Sequence, residues 1–135
     1  MDDAINYLLN FAMNQKIGFV WTNLLAPDTP SAADCKEREI VINANWRNQK
    51  ELPFMIAHEI SHILNKDMGV LYFTSSSSKS KIESNANSEG VQILIDYCDK
   101  LGIEYHNINK FMDTFGIPAN LEYMVMDKLE NRFEI

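Results

Sequence analysis

The chain of 135 residues carries 12 basic and 19 acidic side chains, a net charge of −7, with 46% apolar and 23% charged residues, the balance of an ordinary globular domain. These values exclude a collagen-like repeat, wholesale disorder and a basic surface made for duplex nucleic acid, and no apolar run approaches the roughly 20 residues that span a bilayer. One domain over 1–135 is expected; the acidic start Met1-Asp2-Asp3 lacks the basic region of a secretion signal and points to the cytoplasm, where Cys35 and Cys98 stay reduced.

Asp2 or Asp3 caps a first helix whose apolar residues Ile5, Leu8, Leu9, Ala12 and Met13 recur at helical spacing. Ile17 to Thr22, rich in β-branched and aromatic residues, reads as a strand. Ala26 to Ala33, with Pro27, Asp28, Pro30 and Ser31, reads as a loop, and Glu39 to Asn43 as a second strand before a turn through Trp46. A helix is expected over 51–65, because Pro53 is tolerated only in a first turn. Met68 to Thr74 is a candidate third strand, and the serine run 75–78 a solvated loop or a lid. A long helix is expected over 80–100, with Ser80 as N-cap, Glu83 at the capping-box position and Gly102 as its terminator. A C-terminal helical pair over 108–131 follows, Ile108 to Phe115 and Asn120 to Asn131, divided by Gly116-Ile117-Pro118. The fold class is α+β: a small β-sheet near the N-terminus packed on a mainly helical core.

The informative stretch is His58-Glu59-Ile60-Ser61-His62, an H-E-x-x-H. On a helix, residues i and i+4 share a face, so both imidazoles aim at one point, where neutral rings are good ligands for zinc. Glu59 lies beside them without needing to bind, which suits a general base acting on water. Ile56, Ile60, Ile63 and Leu64 form the apolar stripe, and the motif falls away from it. The bland reading is an exposed polar face that happens to spell the motif. Candidates for a third ligand are Asp67, Glu83, Glu89 and His106, with Glu83 preferred and Glu89 second; Asp67 would need a tight reversal of the chain. Ala86 and Gly90 lie on the side of Glu83 and would let the two helices approach closely, and Asn87 could hydrogen-bond a ligand histidine and fix its tautomer. A second electrophile for the oxyanion would come from His106 or Tyr105, with Tyr97 and Tyr72 behind them.

Ile40-Val41-Ile42-Asn43, followed by Phe54-Met55-Ile56-Ala57 and the H-E-x-x-H, resembles the ImmA/IrrE metallopeptidases, whose pattern is a strand ending in Asn and then an apolar-Ala-H-E-x-x-H helix. Glu83-Ser84-Asn85-Ala86-Asn87 is similar to that family's E-x-x-A-N, whose Glu is the third zinc ligand. The resemblance implies a zincin-like core and one zinc ion per chain held by His58, His62 and Glu83. It also implies a protein substrate: such proteins, often encoded by phages or mobile elements, promote cleavage of a DNA-binding helix-turn-helix repressor. The chain departs from the family at Ser88-Glu89-Gly90, where relatives often read x-F-A, and in having no His between Ile63 and Lys66. No appended DNA-binding or sensor domain is expected.

The function expected is therefore a zinc-dependent endopeptidase in which Glu59 is the base. The main rival is a zinc-containing module that binds a regulatory protein without cutting it. A DNA-binding reading of Asn107 to the C-terminus is disfavoured, since that stretch has three basic residues against five acidic ones. Its helices are better explained as cover for the core, with Phe111, Phe115, Ile117, Leu121, Met124 and Leu129 inward.

Overall fold

Apolar residues at helical spacing near the chain's start and a largely apolar helix in its middle place much of the core. The computed structural model describes residues 3–73 and 80–131. In chain order these form α1 (Asp3–Asn14), β1 (Gly18–Thr22), β2 (Ala32–Asp34), β3 (Glu39–Asn43), α2 (Leu52–Leu64), β4 (Val70–Tyr72), α3 (Lys81–Leu101), α4 (Ile108–Phe115) and α5 (Glu122–Asn131), with a single 3-10 turn before α2 and another before α5. The fold is α+β, as expected. No helix among the described residues is long and apolar enough to cross a membrane. The serine run 75–78 lies outside the described residues.

The sheet has the order β1-β3-β2-β4, with β1 parallel to β3 and the other pairs antiparallel. Register places Phe19, Ile40, Ala33 and Leu71 in one row across it, and Ile40 and Ala33 are fully buried beneath α2. The opposite face carries the row Val20, Val41, Ala32 and Tyr72. β2 corrects the loop expected over 26–33: Ala-Ala-Asp has little β-propensity, and the strand exists because ladders hold it on both sides. Asn43 then fixes the preceding segment, donating from Nδ2 to the carbonyls of Ala26 and Thr29, both at 2.8 Å, while its own N–H donates to Ser31 Oγ at 2.9 Å.

α2 starts with Pro53 in its first turn and is buried from Leu52 to Ile63 on every side. The apolar stripe of the sequence is thus only part of its buried surface; α1, the sheet and α3 enclose the rest. Ser61 satisfies its hydroxyl by donating to the Ala57 carbonyl at 2.7 Å. The histidines and Glu59 have no such local solution, so their burial needs another cause.

α3 is capped by Ser80, whose Oγ accepts from the Glu83 N–H at 3.1 Å, and ends at Gly102 in the left-handed region. It crosses α2 at Gly90, where a Cβ would lie 3.2 Å from the His58 backbone nitrogen. Only glycine permits this approach without moving a backbone, and two turns earlier on α3 it brings Glu83 to the histidines. Phe111, Phe115, Ile117 and Leu121 are buried as expected, together with Val125, while Met124 and Leu129 are half-buried.

Candidate metal centre

Helical spacing sets two of the donors. His58 and His62, four residues apart on α2, hold their rings 4.8 Å apart and nearly perpendicular. Their Nε2 atoms are 3.2 Å from each other, and Glu83 Oε1 from α3 lies 3.0 Å from His58 Nε2 and 3.3 Å from His62 Nε2. The exposures are 1%, 0% and 8%, so the two imidazoles are shut off from bulk water and Glu83 is nearly so. Ligands about 2.0–2.1 Å from a tetrahedral ion stand about 3.3–3.4 Å apart, and the observed triangle is within a few tenths of that. This buried group could hold a metal ion.

The tautomer of His62 follows from its other nitrogen. His62 Nδ1 faces Asp67 Oδ2 at 2.9 Å, so Nδ1 donates to the carboxylate and Nε2 turns a lone pair towards Glu83 and His58. Asp67 reaches this place through the reversal that the sequence only suggested. Lys66 adopts φ 60°, its N–H donates to Ile63 O, and the Asp67 N–H donates to His62 O, both at 3.1 Å. This is a Schellman closure with a lysine at the left-handed position, where a Cβ costs about 1–2 kcal/mol.

Glu59 is fully buried, and neither of its carboxylate oxygens has a hydrogen-bond partner among the described residues. Oε1 stands 3.9 Å from His58 Nε2, at the edge of the donor triangle. A buried carboxylate with nothing to accept from calls for a partner that the described residues do not supply, such as a water or an ion. Burial, and secondarily the negative charge of Glu83, push the Glu59 carboxyl well above its usual range. Glu83 moves the other way. Burial raises it, but its hydrogen bond with His58 and the charges of His62 and His58 together outweigh burial and leave it lowered. Two neighbouring carboxylates pushed apart in this way are suited to different tasks, Glu83 as an anionic donor and Glu59 as a carrier of a proton.

Aromatic rings wall the site. Phe73 meets the His58 ring edge-on at 5.3 Å and Phe54 lies 6.0 Å from it. Phe73 is anchored by its N–H to the Ser31 carbonyl at 2.7 Å, which ties the segment organised by Asn43 to the histidine. His58 Nδ1 has no partner among the described residues. Cys35, at the end of β2, is a free thiol raised by burial and by the charges of Asp67, Glu59 and Asp34.

The structure thus brings His58, Glu59, His62 and Glu83 together and leaves the other candidates apart. Asn87 is buried one turn beyond Glu83 but bonds neither ring; Asp67 occupies the orienting role expected of it. Asp67 itself reaches the far nitrogen of His62 and is not a third donor to the cluster. Glu89 is exposed. Tyr105 packs on Phe111 and Phe115 at 5.5 and 6.1 Å, and His106 is exposed beside Glu104. Both follow the C-terminal end of α3, about 27 Å of helix from Glu83. Tyr97 is buried against Tyr7, and Tyr72 points from the opposite face of the sheet to Phe73. Comparison with family models, curated proteins and solved structures finds no match to this chain.

Replacing Asp67 by Asn should weaken divalent-metal affinity about 10–100-fold, read by competition with a chromophoric chelator, with the helical circular dichroism unchanged. Unaltered affinity would remove Asp67 from the account. A second expectation concerns the metal-free protein. Because the folded pKa of Glu59 is raised above its ordinary 4.5, ionising it opposes folding, and its stabilising contribution is lost as pH rises from the unfolded towards the folded value. The stability of Glu59→Gln relative to wild type should therefore grow with pH above about 4.5 and be flat below it, in urea titrations with chelator present. A difference independent of pH would contradict the raised pKa.

Proposed function

We propose that the chain is a zinc-dependent endopeptidase. The observation that carries this reading is the unpartnered Glu59 carboxylate, buried beside two imidazoles and the Glu83 carboxylate whose donor atoms converge. Two nitrogens and one oxygen suit zinc and leave a fourth position for water or substrate. Zinc bound there would supply a Lewis acid and lower the pKa of water towards 7. His58, His62 and Glu83 would hold the ion, and Asp67 would keep the His62 lone pair directed at it. Glu59 would act from its ionised form: burial raises its affinity for a proton, so the carboxylate takes one from the attacking water and returns it to the leaving amine.

A polypeptide substrate is supported by the sheet. Gly69 and Phe73 direct their paired backbone groups at β2, so the N–H and C=O groups of Val70 and Tyr72 between them face away from it, along an edge that no other described strand covers. Such groups pair with an extended chain. The resemblance to the ImmA/IrrE metallopeptidases adds the substrate class, a DNA-binding helix-turn-helix repressor, and the net charge of −7 suits a basic partner. The burial of all three donors at 8% exposure or less favours a second reading, a structural metal in a module that binds a regulatory protein without cutting it.

Turnover separates the two. Zinc-loaded protein incubated with a helix-turn-helix repressor encoded nearby should leave a new N-terminus on the repressor at substoichiometric enzyme. Glu59→Gln should keep its metal and lose about 10²–10⁴-fold in rate. Relief of repression that is stoichiometric and survives Glu59→Gln would establish the non-cutting module instead.

A further inference from the structure

Large apolar side chains usually leave water, yet the edge strand β4 turns two of them outward. Val70 is 51% exposed and Tyr72 58%, both on the face of the sheet opposite the metal centre. These are also the residues whose backbone N–H and C=O groups point away from β2. Tyr72 ends a row that runs through Ala32 and Val41 to Val20, so the outer face carries an apolar line across the whole sheet. An added strand would lengthen this row by one residue. One residue beyond β4, the inward Phe73 meets His58, so the same strand would pass the donor cluster.

Resting on the reading of this centre as one that acts on a polypeptide, we infer that the outward pair Val70 and Tyr72 selects the substrate: an extended segment that pairs with β4 and carries aromatic or β-branched side chains at the alternate positions facing them. Directly opposed residues on one face of a sheet lie about 4.5–5.5 Å apart, and an aromatic or β-branched residue gains most from a partner of the same kind, which buries its apolar surface. Residues between them would turn to the other face, towards Phe73 and the histidines. The backbone pairing gives affinity without regard to sequence, and the outward row supplies the discrimination. The other edge of the sheet, β1, is separated from β4 by two strands and so lies away from the segment that meets His58.

The test separates docking from hydrolysis. Random short peptides displayed on phage are selected on zinc-loaded Glu59→Gln protein, and the winners are offered as free peptides to zinc-loaded wild type. Selected peptides should share aromatic or β-branched residues at alternate positions. Val70→Lys and Tyr72→Lys should each weaken binding up to about fivefold, whereas Tyr72→Phe keeps it. Peptides without that alternation, binding unchanged in both lysine variants, or no selectable peptide at all would overturn the inference. So would a concentration-dependent dimer that Tyr72→Lys dissolves, since a second copy would then own the edge. Alternating peptides that bind but are left intact by wild type support the docking and refute the endopeptidase. Peptides that are cut but show no alternation do the reverse.

Discussion

The structure depends on one constraint: four ionisable side chains, His58, Glu59, His62 and Glu83, lie at 8% exposure or less within the contact of α2 with α3. Isolated buried charges cost more than a small domain can spare. The three donor atoms converge within 3.3 Å of one another, and a single shared proton satisfies at most one pair of them at a time. A doubly charged ion satisfies all three. The surroundings follow from this need. α2 is apolar or satisfied at its other buried positions, Gly90 admits the backbone of α3 to that of α2, and the left-handed Lys66 returns Asp67 to His62.

Within that frame the two carboxylates differ because their neighbours differ. Glu83 sits between two imidazoles, and their hydrogen bonds and charge overcome the effect of its burial. Glu59 finds no hydrogen-bond partner among the described residues, and burial with the negative Glu83 holds it towards its neutral form. The same residue type, one helix apart, is thus prepared for ligation in one case and for proton transfer in the other.

Much of this was legible in the sequence where local rules suffice. The i, i+4 histidines, the Ser80 cap that begins α3 and the small residues at Ala86 and Gly90 placed the motif residues and Glu83 on facing helices. What failed depends on long-range geometry. β2 is three residues of poor strand formers held by both neighbours, so no local pattern marks it. Asp67 needs a tight reversal of the chain to reach the histidines, and the sequence does not mark that reversal because it is made by a non-glycine residue, Lys66, at positive φ. Asn87 has the right face but not the reach, and Tyr105 and His106 belong to the far end of a helix whose length the sequence stated but whose direction it did not. The carboxylate five residues past His62 was the readable signal for the orienting contact.

The most direct test of the central claim is elemental analysis of purified protein beside His62→Ala and Glu83→Ala, after zinc is supplied and the excess removed. The account predicts about one zinc per wild-type chain, lost or much weakened in both variants, as expected of a site with three protein ligands. A wild type that retains no metal would contradict it, and the buried cluster would then be held by shared protons alone.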